Sequence, residues 1–132
     1  MTLKTDTTSN IVPSPGNDHT PRRLYIDFDL YTEGDQEFKK DLCALIIDNI
    51  KEFQQSLTDS VRQKDPQVFL KASHKVKVTL GMLDDQEFYN LVRELEISIM
   101  NRSSESHVTT LSRQFQNICN VIVISLVTEI NS

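Results

Sequence analysis

The sequence predicts an all-α chain: an antiparallel four-helix bundle over residues 24–132, preceded by a flexible N-terminal tail over residues 1–23. Three observations carry this expectation. Helix breakers are confined to the start: Pro13, Pro15 and Pro21 all precede residue 22, and after Leu24 only Pro66, Gly34 and Gly81 interrupt the chain. Apolar residues then recur at spacings of three and four through four separate stretches. Finally, 132 residues, of which 38% are hydrophobic and 25% charged, suit one globular domain with a single core.

Each element has its own justification. Residues 1–23 hold five threonines, two serines, two asparagines and three prolines. Such a segment buries too little apolar surface to offset its ordering entropy. Leu24 to Leu30 alternates apolar and acidic residues, but a lone strand has no partner. It is expected as a short helix or extended lead-in that packs Leu24, Ile26 and Phe28 onto the helical body. Asp35, just after Gly34, is a good N-cap for the first long helix. Phe38, Leu42, Leu45, Ile46, Ile50, Phe53, Leu57 and Val61 form its apolar stripe to about Lys64, a length that invites a kink near Asn49.

Asp65-Pro66 restarts the chain, with Asp as N-cap and Pro at the first helical position. One helix is expected from there to about Met82, with Phe69, Ala72, Val76, Leu80 and Leu83 inward and Gly81 loosening the last turn. Asp84 or Asp85 caps a third helix bearing Phe88, Leu91, Val92, Leu95 and Ile99 on one face. The polar run from Asn101 to Ser106 is a loop. The last helix spans about His107 to Ile130, with Val108, Leu111, Phe115, Ile118, Ile122 and Leu126 inward. Val121, Val123, Ile124 and Val127 make its second half apolar nearly all round, which calls for deep burial or a subunit contact. A monomer is the expectation.

Charge and cysteine usage narrow the function. The net charge is −5 and the pI about 5.1, against a nucleic-acid binder held by phosphate contacts. Cys43 and Cys119 form no CxxC pair, which excludes a zinc ribbon or a thioredoxin-type site, and both are expected half-buried. The first ten residues are polar and show no secretory pattern, and no apolar run reaches the roughly 18 residues of a membrane span. A cytoplasmic protein with free thiols follows. The chain has no Walker loop or glycine-rich nucleotide fingerprint, and no cofactor or metal is expected.

Of the three histidines, His19 lies in the tail, His107 at a helix start and His74 in mid-helix. At 100° per residue, His74 stands about 200° from both Ala72 and Val76, so it points to solvent. Lys71, Lys75 and Lys77 surround it, and no acidic residue occurs between Pro66 and Leu83. This segment carries +3 in an acidic chain. An exposed imidazole among lysines is suited to carry an anion such as a phosphoryl group, which brings a charge of about −1.5 to −2. Lys71 and Lys77, one turn away on either side, are placed to neutralise it. The plain alternative is a surface histidine beside a chance lysine cluster. Metal binding is disfavoured because no HxxE, HxxxH or ExxH spacing surrounds His74.

Asp35 to Glu96 resembles the histidine-containing phosphotransfer (HPt) domains of two-component phosphorelays. Gly34-Asp35-Gln36-Glu37-Phe38 is similar to the G-D-x-E-F opening of their first long helix, and Lys64-Asp65-Pro66 to their charged turn before the active helix. Ala72-Ser73-His74-Lys75-Val76-Lys77 resembles their A-H-x-L-K signature, with serine just before the histidine. Leu95-Glu96 is similar to the pair that closes their next helix. Where many members carry glycine after the lysine, this chain has Val78, and Val78-Thr79-Leu80 replaces their G-S-S; Gly81 follows one turn on.

The resemblance implies a carrier rather than an enzyme with its own ATP site. His74 would be the phosphoacceptor, through Nε2, with Lys77 and Lys71 beside the phosphoryl group. The partner would be a receiver domain of a response regulator or hybrid histidine kinase, supplying the aspartate and the magnesium. Leu70, Val78, Gly81 and Lys75 would form the docking surface. The competing expectation is a non-catalytic helical adaptor that binds a signalling partner through an apolar helix face.

Overall fold

The computed structural model describes Ile26 and residues 28–131. The tail expected over 1–23, with His19, and Leu24 of the lead-in lie outside the described residues. The described chain is all helical, with no strand: α1 Phe28–Thr32, α2 Gln36–Gln63, α3 Pro66–Lys75, α4 Lys77–Leu83, α5 Gln86–Met100 and α6 Glu105–Ile130.

Side-chain caps set most of these boundaries. Asp35, Asp65, Asp85 and Ser104 each accept a hydrogen bond from a backbone N–H two or three residues on, at Phe38, Gln67, Phe88 and His107. This satisfies donors that the first helical turn leaves unpaired. Lys64 and Asp84 end α2 and α4 in the left-handed region, at φ 55° and 48°. Next to Lys64, the Ser60 hydroxyl donates to Asp65 O at 2.6 Å and pins the turn into α3. The α1–α2 turn uses Gly34 at φ 80°, where a side chain would be strained.

The core is one cluster drawn mainly from α2 to α6, joined by Ile26 before α1 and by Val76 at the α3–α4 break. Phe53 of α2 stacks on Phe69 of α3 at 5.0 Å between ring centres, and Phe115 of α6 meets Phe53, Phe69 and Phe88 at 5.1, 5.8 and 5.8 Å. These four rings tie α2, α3, α5 and α6 together, and all are buried. At the rim, Lys39 pairs with Glu129, and Gln54 donates to Gln116 and Asn120. Residue numbers on α6 therefore fall as those on α2 rise.

Several expectations are corrected here. The helix expected to run unbroken from Pro66 to Met82 is two, α3 and α4, parted at Val76, whose φ of −91° and ψ of 9° leave the helical region. No breaker residue stands there; the ladder ends with Val76 N–H on Ala72 O and restarts with Leu80 N–H on Val76 O. In contrast, α2 runs through Asn49 without interruption. Phe38, Leu45 and Val61, expected in the core, are at least half exposed, while Cys43 and Ile47 take inward positions. Ile124 and Val127 are also exposed, so the second half of α6 is not buried all round within the chain. Ile26 is buried and Phe28 half-buried, as the lead-in expectation required.

Candidate functional site

His74 occupies the last turn of α3, two residues before the interruption at Val76. Phe69, Ser73 and Val76 face inward and anchor this turn, which leaves the imidazole exposed. Lys71 and Lys75 are exposed on α3, and Lys77 and Val78 are exposed at the start of α4. The two short helices thus bring one imidazole, three lysines and one valine to the segment that flanks the break.

The lysines are not equivalent. Lys75 Nζ lies 3.0 Å from Glu52 Oε2 on α2, so this docking candidate is engaged by a carboxylate of its own chain. The acid-free stretch in sequence is therefore not acid-free in space. Lys71 and Lys77 make no ion pair among the described residues. They are the cations left to an incoming anion.

The other docking candidates differ as well. Val78 is 77% exposed, the largest exposure among the bulky apolar side chains of the described residues. Leu70 is half-buried. Gly81 is exposed on α4, and a methyl group added there would meet no atom within 4 Å. Packing within the chain thus does not require glycine at that position; its lack of a side chain leaves the α4 surface low.

Contacts invisible to sequence periodicity surround His74. The Ser73 hydroxyl donates to Glu96 Oε2 of α5 at 2.6 Å, and Asn49 Nδ2 of α2 donates to Thr79 Oγ1 of α4 at 3.1 Å. With Lys75–Glu52, they tie the α3–α4 break to both neighbouring helices. No local sequence signal marks these pairs, whose members stand 23 or 30 residues apart.

A groove of about 300 Å³ opens between α2 and α3, lined by Glu52 and Asp59 of α2 and by Val68, Lys71 and Lys75 of α3. His74 does not line it. Its acids are each engaged by a cation, Glu52 by Lys75 and Asp59 by Arg62.

The thiols lie apart from this surface. Cys43 and Cys119 are fully buried, not half-buried, because both fall on the inward stripes of α2 and α6. Burial pushes both thiols above the ordinary value; at Cys43 the Glu129 carboxylate adds to the rise and Lys39 opposes it. Neither is an available nucleophile.

No helix among the described residues is long and apolar enough to cross a membrane. No family model, curated protein or solved structure matches the chain.

Proposed function

We propose that this chain is a phosphohistidine carrier of a two-component phosphorelay, built as an antiparallel four-helix bundle from α2, the α3–α4 pair, α5 and α6. The observation that carries the reading is the exposed imidazole of His74, near Lys71 and Lys77, which make no ion pair among the described residues. The opposed numbering of the α2–α6 contacts supports the arrangement of the bundle.

In this reading the receiver brings an aspartyl phosphate, and His74 supplies the lone pair of Nε2. The N–P bond forms as the P–O bond to the aspartate breaks, and the carboxylate leaves with the bonding electrons. The reverse step discharges the carrier. The chain contributes placement and charge, while the receiver contributes the metal ion and the acidic pocket. Lys71 and Lys77 offset the charge that the phosphoryl group adds. Val78 and Leu70 give the receiver an apolar contact, with the low surface at Gly81 next to it.

The test is uptake of phosphoryl label from a receiver charged with acetyl phosphate. Wild type should gain an acid-labile, base-stable label, and His74→Gln should gain none while keeping its helical circular dichroism. Label retained on the His74→Gln variant would move the chemistry to another residue. The adaptor reading draws on the 77% exposure of Val78. It predicts receiver or other signalling-partner binding that His74→Gln leaves intact, with no label on either protein.

A further inference from the structure

We infer that Ser73 and Glu96 are positioning residues for His74, their hydroxyl–carboxylate bond fixing the end of α3 that carries the imidazole. This inference rests on the phosphocarrier reading.

His74 stands where a helix is least constrained. α3 stops at Lys75, Val76 leaves helical geometry, and α4 begins afresh at Lys77. The last turn of a helix lacks part of its hydrogen-bond ladder and frays unless tertiary contacts hold it. The residue adjacent to His74 supplies such a contact. Ser73 is 7% exposed, and its Oγ lies 2.6 Å from Glu96 Oε2, the length of a strong hydroxyl–carboxylate bond.

The direction of that bond is informative. A hydroxyl inside a helix ordinarily bonds a carbonyl three or four residues back. Ser56, Thr110 and Thr128 do so here, donating to Phe53, Ser106 and Ile124. Ser73 instead reaches across to α5. Glu96 follows Leu95, which is fully buried, so the base of the acceptor is anchored in the core. On the opposite flank the corresponding tie is Lys75–Glu52, an exposed ion pair of little holding power. Of these two ties the inner bond does more to fix how the last turn of α3 rotates, and any rotation at Ser73 swings the adjacent imidazole.

Phosphoryl transfer depends on alignment of the attacking nitrogen with the P–O bond, so a loosened turn lowers the rate without weakening docking. Ser73 is buried and does not reach a docked receiver. The expected signature is a loss in maximal rate at constant half-saturation.

The experiment measures single-turnover transfer from a phosphorylated receiver over a range of receiver concentrations, with a melting curve for each protein. Ser73→Ala and Glu96→Ala should each lower the maximal rate about three- to tenfold, with half-saturation unchanged. The double alanine variant should lose no more than either single one. Glu96→Gln, whose amide oxygen still accepts from Ser73, should keep most of the rate. Unchanged rates in both alanine variants overturn the inference. So do losses that multiply in the double variant, a loss in Glu96→Gln as large as in Glu96→Ala, or a loss confined to the fraction of folded protein. A wild type that takes no label overturns the phosphocarrier reading and this inference with it. Labelling on His74 of wild type and Ser73→Ala at equal rates overturns the positioning role alone.

Discussion

For the proposed phosphohistidine carrier, replacing Val78 with glycine should broaden the range of receivers that exchange phosphoryl groups with it. The magnitude follows from its exposure. Fully burying a valine side chain is worth about 1.5–3 kcal/mol. At 77% exposure most of that remains available to a docked partner, so the contact can contribute about 1–2 kcal/mol, or about 5- to 30-fold in affinity. A receiver that closes over Val78 gains this; one whose surface cannot accommodate the isopropyl group is kept away. The cost to the fold is small, because little of the side chain is buried and valine is itself a modest helix former. The loss should stay below about 1 kcal/mol. Because α4 has only 7 residues and already contains Gly81, Val78→Ala serves as a second variant that keeps helix propensity while removing most of the contact. The assay is a panel of receivers compared by affinity and transfer rate. Preferred receivers should lose about 5- to 30-fold in affinity, and poor ones should gain or hold, so that the spread narrows. If both variants accelerate every receiver equally, Val78 is an obstruction and the selectivity argument fails; if neither changes any receiver, Val78 lies outside the docked surface.

Three further outcomes are expected. Lys77→Ala should slow transfer or shorten the phosphohistidine lifetime with little change in Tm, because an exposed lysine with no ion pair among the described residues adds little stability; transfer unaltered at low salt would remove Lys77 from the site. Phe115→Ala should lower the unfolding free energy by about 3–5 kcal/mol, seen in the urea midpoint, since its ring is fully buried against three other phenylalanines; a loss under about 1 kcal/mol would contradict this packing. Stability should fall as pH rises above about 9, because the thiols of the unfolded chain ionise there while the buried ones, pushed upward, stay protonated. The Cys43→Ala/Cys119→Ala variant should flatten that slope between about pH 9 and 10, and an unchanged slope would assign it to other groups.

The parts of the fold legible in the sequence are those governed by local chemistry. Asp35, Asp65-Pro66 and Asp85 mark helix starts because a short acidic side chain satisfies unpaired N–H groups a few residues away. The inward stripe of α2 was legible only in part, because spacing in steps of three and four drifts around a helix of 28 residues. Ile46, Ile50, Phe53 and Leu57 fix the centre of the buried face. Phe38 and Leu45 lie about 90° and about 110° from that centre and stay exposed, while Cys43 lies about 50° from it and is buried. The exposure of His74 followed from the same angular reasoning. The interruption at Val76 did not, since neither glycine nor proline stands there, and the break is held by contacts to α2 and α5 that only the folded chain creates.

Those contacts also change the electrostatic argument. Counted along the sequence, the segment from Pro66 to Leu83 has three lysines and no acid. Counted in space, Glu52 pairs with Lys75 and Glu96 bonds the residue before His74, so two carboxylates approach its flanks. Lys71 and Lys77 remain, and their two charges are close to the −1.5 to −2 of a bound phosphoryl group. The chain's net −5 opposes an anion, but exposed charges farther than about 8–10 Å are screened at physiological ionic strength, so nearby groups govern the site. With its carboxylate bonded to Ser73, Glu96 is also held by the hydroxyl instead of pairing with a lysine. In the proposed carrier, the bond that steadies the α3 end also keeps the Glu96 carboxylate from the cations that meet an incoming phosphoryl group.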